Sequence, residues 1–228
     1  MKKFIYVFLL IALFSCSKEN ESNKEPEFFT SDIDLFWKIF DSISPDYSKI
    51  NFQNYYIDKG TKGLKDYAEQ KDLAASLESK LKLPEYLSYY KSIRYNTLDL
   101  DDAIQKSKDG FNTLKMIYPE ANLFDVYFLI GALGAGGRVS NNGLLIAVEF
   151  FTKTDTTSLD NLDEWYRNVI KSKDYIPSIV VHELIHKQQN FSQTNSGFNT
   201  LLEQSIMEGM ADFVSLYLLP NEPFLYKH

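Results

Sequence analysis

Apolar residues recur at helical spacing through most of the first half of the chain. Ser31-Asp32 can cap a first helix whose apolar side carries Ile33, Phe36 and Phe40. The aromatic side chains of this half are expected to form the hydrophobic core. Further helices are predicted over Leu64–Leu83, which ends at Pro84, and over Tyr86–Arg94 and Leu100–Ile117.

The pattern changes at Val126, where β-branched and aromatic residues follow one another without a helical period. Val126–Ile130 and Leu144–Phe151 are predicted to be strands. A glycine-rich segment joins them, and they are expected to pair as antiparallel neighbours. Its glycines follow neither of the phosphate-binding motifs G-x-G-x-x-G and G-x-x-x-x-G-K-[ST]. A flexible loop at the lip of a cleft is therefore predicted.

Two long helices are predicted in the last third of the chain. One begins near Asp174, a candidate cap, with Pro177 in its first turn, and ends near Gln189. A polar loop, Asn190–Asn199, leads to the other, Leu201–Leu219, which stops at Pro220. The predicted fold is therefore α+β: mostly helical, with a small antiparallel sheet and two long helices.

The N-terminus has the features of an exported lipoprotein. Lys2 and Lys3 precede an apolar run, Phe4–Phe14, that is too short to span a bilayer and fits a secretory signal. Leu13-Phe14-Ser15-Cys16 then resembles a bacterial lipobox, which implies cleavage and lipidation at Cys16. An ordinary signal peptide with an incidental cysteine is the alternative, although Cys16 is the sole cysteine and lies where the run ends.

These features divide the chain into a signal peptide (1–15), a flexible tether (16–30) and one folded domain (31–228). The tether is polar and acidic, which favours a lipid anchor in the outer membrane. Apolar residues make up 44% of the chain and the net charge is −7, without a basic stripe. Globular composition is thus indicated, and nucleic acid is not an expected partner.

Candidate chemistry is concentrated in the motif H-E-x-x-H, from His182 to His186. Residues four apart share one helix face, so both imidazoles can bind a single metal ion. Glu183 stands beside them, where it can accept a proton from metal-bound water. The chain has 3 histidines, and two of them lie here on a largely apolar helix. Burying these groups is costly unless a ligand pairs with them, which favours a metal site over coincidence.

A matching pair of carboxylates lies on the last helix. Glu208 can provide the third ligand, and Asp212, four residues on, can accept the free N–H of a ligand imidazole. Glu203 is a competing third ligand, but position 207, four beyond it, is Met. Gly209 and Ala211 are small, which would allow two helices to approach closely around the metal.

H-E-x-x-H followed by E-x-x-x-D resembles the gluzincin metallopeptidases. GAGGRVSNNGLLIAVEFF, VVHELIHKQQ and EGMADF also resemble the predicted zinc-dependent proteases found among bacterial lipoproteins, from about Ser31 onward. The resemblance implies a zincin-like fold, with Glu183 as general base and Asp212 orienting His182. Gluzincins continue with further helices after the aspartate, so the resemblance also suggests a C-terminally truncated domain.

The sequence therefore predicts a zinc metalloendopeptidase that hydrolyses a peptide or protein substrate. Zinc held by His182, His186 and Glu208 would activate water, and substrate backbone would add to the edge of Leu144–Phe151. The alternative is an envelope lipoprotein whose zinc site is structural or vestigial and which acts in binding or assembly. A fourth protein ligand would favour this alternative, and His228 is the remaining histidine that could supply it.

Overall fold

The computed structural model describes residues 25–70, 72–189 and 200–223. Four features predicted from the sequence lie outside these residues: the signal peptide, the lipidated Cys16, the loop Asn190–Asn199 and His228. Phe28 and Phe29, the last part of the predicted tether, are described and form the first strand.

Helices dominate the described part of the chain, as the sequence predicts. The strands are β1 (Phe28–Phe29), β2 (Val126–Leu129), β3 (Gly137–Ser140) and β4 (Gly143–Ala147). The helices are α1 (Ser31–Ser42), α2 (Lys49–Asn51, continued by a π-helical stretch Phe52–Ile57), α3 (Lys62–Gln70), α4 (Leu73–Leu81), α5 (Pro84–Leu98), α6 (Asp101–Ile117), α7 (Glu164–Val169), α8 (Ile176–Gln188) and α9 (Leu201–Leu218). The α+β class is confirmed.

The sheet is mixed rather than antiparallel, with strand order β1-β2-β4-β3 among the described residues. β2 and β4 are parallel neighbours, with Val126 opposite Leu144, so the predicted antiparallel pairing is wrong. The reason is β3, which the sequence pattern did not reveal. β3 and β4 form an antiparallel hairpin, connected by Asn141 and Asn142. Because the chain reverses twice between β2 and β4, these two strands run in the same direction.

β4 is an interior strand, shorter than its sequence suggests. It ends at Ala147, and a 3₁₀ turn, Val148–Phe150, follows. All its residues are buried, and β2 and β3 occupy both of its edges. A peptide therefore has no free edge of β4 on which to add, and the predicted docking of substrate along Leu144–Phe151 is wrong.

Most aromatic residues of the first half lie in the core, as predicted, whereas Tyr55, Tyr95 and Tyr118 are exposed. Phe36 is fully buried and lies edge-on to Trp37, with ring centroids 5.0 Å apart, and to Tyr56, at 5.3 Å. Such edge-to-face pairs add to the stabilisation that comes from burial alone. This aromatic cluster joins α1 to the π-helical stretch and packs the first half of the chain against β2.

Buried hydroxyl groups tie down the glycine-rich segment after β2. The hydroxyl of Tyr56 donates to the carbonyl of Ile130 (2.8 Å), that of Tyr90 to Gly131 (2.8 Å) and that of Tyr67 to Ala135 (3.0 Å). The fully buried carboxyl of Glu149 accepts hydrogen bonds from backbone N–H groups in the same segment. This set of bonds replaces the predicted flexible loop, because each anchored peptide group is fixed from another part of the fold.

α8 lies in the interior, as its apolar sequence predicts. Its residues from Ile176 to Ile185 are buried, and the helix packs against α6, α9, β3 and β4. A 3₁₀ turn, Lys173–Tyr175, precedes it, so Asp174 is not its cap, whereas Pro177 does lie in the first turn. Within the described ranges, no helix is both long and apolar enough to cross a membrane.

Candidate metal centre

The two histidines of α8 face the acidic residues of α9. His182 is close to Asp212, and His186 is close to Glu208, so α8 and α9 run antiparallel. α9 begins with a capping box in which the hydroxyl of Thr200 accepts from the N–H of Glu203, and the Glu203 carboxylate accepts from the N–H of Thr200. Glu203 thus caps the helix, and Glu208 is the carboxylate that reaches the imidazoles.

His182, His186 and Glu208 form a compact group of metal-type donor atoms. The Nε2 atoms of the two histidines are 2.9 Å apart, and Glu208 Oε2 is 3.3 Å from the first and 3.4 Å from the second. Ligands at zinc bond lengths of 2.0–2.1 Å stand about 3.3 Å apart at the corners of a tetrahedron. Both distances to Glu208 match this spacing, the distance between the two Nε2 atoms is shorter, and two imidazoles with a carboxylate are a donor set that zinc prefers.

The second nitrogen of each imidazole is held by a neighbouring acceptor. His182 Nδ1 lies 2.8 Å from the Asp212 carboxylate, and His186 Nδ1 lies 2.9 Å from the side-chain oxygen of Gln189. Because both acceptors require an N–H at Nδ1, the lone pair of each ring is on Nε2. The two lone pairs and the Glu208 carboxylate then point at one place, where a cation would stabilise all three.

Gln189 is a part of this site that the motifs did not indicate. Its amide nitrogen donates to the backbone carbonyl of Met207 at 2.9 Å, so one side chain joins His186 to α9. The available signal was its position three residues after His186, which places an amide beside the outer nitrogen of the ring. Burial, followed by the nearby His186 ring, lowers the pKa of His182, which keeps that imidazole neutral and able to bind a metal.

The Glu183 side chain lies against Gly137, the first residue of β3. A β-carbon at Gly137 would overlap the Glu183 carboxylate, so only glycine allows this close approach. Burial, with the charge of Glu208 adding to it, raises the pKa of Glu183 to about 8, while the Arg138 guanidinium opposes the shift. The role of Gly137 was not predicted, because nothing local in the sequence links it to α8.

Of the two small residues of α9 that were expected to allow close helix packing, only one lies in the contact with α8. Ala211 is fully buried, as a close approach of two helices requires. At Gly209, in contrast, an added β-carbon would have no neighbour within 4 Å among the described residues. The prediction that Gly209 allows the helices to approach around the metal is therefore wrong. Glu208 remains half exposed, at 49%, so the donor group is accessible from solvent.

Comparison with known proteins gives one family. The family model described as "Gliding motility protein GldB", a lipoprotein family, matches residues 22–227. No curated protein and no solved structure matches the chain. The match covers far more of the chain than the two short motifs on which the gluzincin resemblance depends.

This match corrects the function expected from the sequence. The assignment to a gluzincin protease family is wrong, and so is the prediction of a zinc metalloendopeptidase, because the matched family is one of motility lipoproteins. The match gives no support for the expected peptide substrate. Of the predicted cellular context, a lipoprotein associated with the cell envelope is supported. The chain belongs to the GldB family of gliding motility lipoproteins.

Proposed function

We propose that this protein is a lipid-anchored component that binds other proteins in the assembly of the gliding motility machinery, with zinc as a structural part of its fold. The observation that carries the zinc proposal is the convergence of donor atoms of His182, His186 and Glu208 from two helices, 2.9–3.4 Å apart. Cys16 is the proposed lipid attachment point, and the acidic, polar tether after it supports placement in the outer membrane.

The small buried area of α9 supports a structural role for the metal. The described residues of this helix that are buried are Ala211, Ser215 and Leu218, a small apolar area for an 18-residue helix. Hydrophobic burial is roughly proportional to apolar area, so it holds α9 only weakly. A zinc ion with two ligands on α8 and one on α9 would join the helices directly, and its binding energy would add to the stability of the fold.

Zinc content provides the first test, on the full-length lipoprotein purified in detergent. We expect about one zinc per chain, lost in the His182→Ala/His186→Ala variant. Glu203→Gln is the matched control, since it changes a carboxylate of α9 that caps the helix and should keep zinc. Stoichiometric zinc in the double histidine variant would disprove the site. His228→Ala shows in the same assay whether the third histidine of the chain supplies a further ligand.

Hydrogen exchange provides the second test, because it separates a structural metal from an incidental one. Removing zinc with a chelator should increase exchange throughout α9, while the amide of Ile130, held by Tyr56, keeps its protection. Unchanged protection of α9 after zinc removal would exclude the structural role. In cells, the double histidine variant should lose gliding and Glu203→Gln should retain it.

A further inference from the structure

α9 has two opposite faces with different properties. Glu208, Ala211, Asp212 and Ser215 face the metal centre and α8. The opposite side carries large apolar side chains that are exposed, each by 42–69% of its surface. This exposed face, here called the outer face of α9, consists of Leu202, Ile206, Met210, Phe213, Leu216 and Tyr217.

The outer face is larger than a monomeric protein ordinarily leaves uncovered. It extends over four turns of helix, roughly 22 Å, and such proteins rarely expose contiguous apolar patches above a few hundred Å². Six large side chains at these exposures approach the roughly 800 Å² that each partner contributes to a standard interface. None of the six is an acidic or basic residue, so the surface suits another uncharged, apolar surface.

Gly209 lies in the middle of this helix. Glycine inside a helix is less stable than alanine, so its presence usually has a packing reason. Gly110 in α6 has such a reason, because an added β-carbon would lie 2.7 Å from Val181. At Gly209 the space is open toward the described residues. A second helix crossing α9 at this point would use that space.

Two large apolar residues of the outer face lie at equal distances from Gly209. Leu202 precedes it by seven residues and Leu216 follows it by seven. In an antiparallel pair of identical helices, a two-fold axis at Gly209 places residues at equal distances before and after it opposite each other. Leu202 of one copy would then face Leu216 of the other.

We propose that two copies of this chain associate through their α9 helices, antiparallel and crossing at Gly209. The occupant of the outer face is thus a second copy, selected by the area of the face, the equal distances of Leu202 and Leu216 from Gly209 and the absence of charge on the face. The chain has a net charge of −7, and this contact keeps like charges out of the interface. This dimer would form without zinc and without a partner from the motility machinery.

Cysteine cross-linking of the full-length lipoprotein in its membrane tests the geometry. Met210→Cys, next to the two-fold axis, should give a covalent dimer on oxidation. Gln204→Cys is the matched control, since it is exposed on α9 outside the outer face and should remain monomeric. Leu202→Cys alone should not cross-link, because its two copies would be roughly 21 Å apart. Combined with Leu216→Cys, it should.

Either of two results would overturn the proposal: Met210→Cys remaining monomeric, or cross-linking only to a different polypeptide. Cross-linking of Leu202→Cys by itself would contradict the antiparallel arrangement. Gly209→Ala gives an independent readout in detergent by analytical ultracentrifugation. Its β-carbon should weaken association at least tenfold while the monomer unfolds no more easily than the wild type. The zinc content of this variant should be unchanged, so that weaker association reports on the contact between α9 helices and not on the metal centre.

Discussion

The buried carboxyl of Glu149 makes the stability of this protein depend on pH in a direction that can be calculated. Glu149 is fully buried and accepts hydrogen bonds from the N–H groups of Gly131 (2.9 Å) and Leu133 (3.0 Å). Burial raises its pKa from 4.5 to about 7, although these hydrogen bonds act in the opposite direction. In the unfolded chain the same carboxyl is exposed and has its ordinary pKa.

Between these two pKa values the folded state keeps a proton that the unfolded state has released. The free energy of unfolding therefore falls as pH rises from about 4.5 to about 7, and this contribution is constant above that range. The difference between the pKa values corresponds to roughly 3 kcal/mol, since one pH unit is worth 1.36 kcal/mol. The neighbouring phenols do not add to this change, because burial raises their pKa values further above 10.

Denaturant unfolding at pH 5 and pH 8 measures this effect when wild type and Glu149→Gln are compared. The glutamine presents one oxygen to the two N–H groups, so the variant should lose about 1–3 kcal/mol at pH 5. Between pH 5 and pH 8 the free energy of unfolding should fall less for the variant than for the wild type, by up to roughly 3 kcal/mol. Glu69→Gln, at an exposed position, is the control and should follow the wild type. Equal changes in wild type and Glu149→Gln would refute the reasoning.

Two further predictions concern a close contact and the membrane anchor. Gly137→Ala should lower the free energy of unfolding by about 1–3 kcal/mol, because its β-carbon would meet the Glu183 carboxylate, whereas at Gly134 the nearest atom would be 3.8 Å away. Equal denaturation midpoints for Gly137→Ala and Gly134→Ala would contradict this. Cys16→Ala should abolish incorporation of a labelled fatty acid and release the protein from membranes, and retention of the label would show that the lipobox assignment is wrong.

The parts of the site that the sequence predicts are those set by local helix geometry. Residues four apart share a helix face, so His182 with His186, and Glu208 with Asp212, can be paired by spacing alone. Gln189 follows His186 by three residues, so helix spacing could have suggested their contact. The contact of Gly137 with Glu183 could not be predicted in this way, because it joins a strand and a helix that are distant in sequence.

The direction of strand pairing could not be predicted, for a similar reason. The residues of β2 and β4 indicate strands by their apolar, β-branched composition. Their unbroken apolar runs are typical of parallel strands covered on both faces, but the runs alone do not show which strands are neighbours. The difference lies in β3, a short, partly exposed strand within a glycine-rich segment. Its hairpin with β4 determines the direction, and its own sequence carries little hydrophobic signal.

The error in function has a different origin. H-E-x-x-H and E-x-x-x-D specify where metal donors and their supporting carboxylates lie, and the structure does bring these groups together. They do not specify a reaction, which also requires a substrate cleft and groups that stabilise the transition state. Similarity along nearly the whole chain outweighs two motifs because it includes those other regions.

The tyrosine hydroxyls that hold the segment after β2 connect parts of the chain that are far apart in sequence. The bond from Tyr56 to Ile130 spans 74 residues, that from Tyr67 to Ala135 spans 68 and that from Tyr90 to Gly131 spans 41. The change of pattern at Val126 is therefore not a boundary between independently folding units. The helical half and the half with the sheet and metal centre should unfold together in one cooperative transition, and neither should be obtainable alone as a stable fragment.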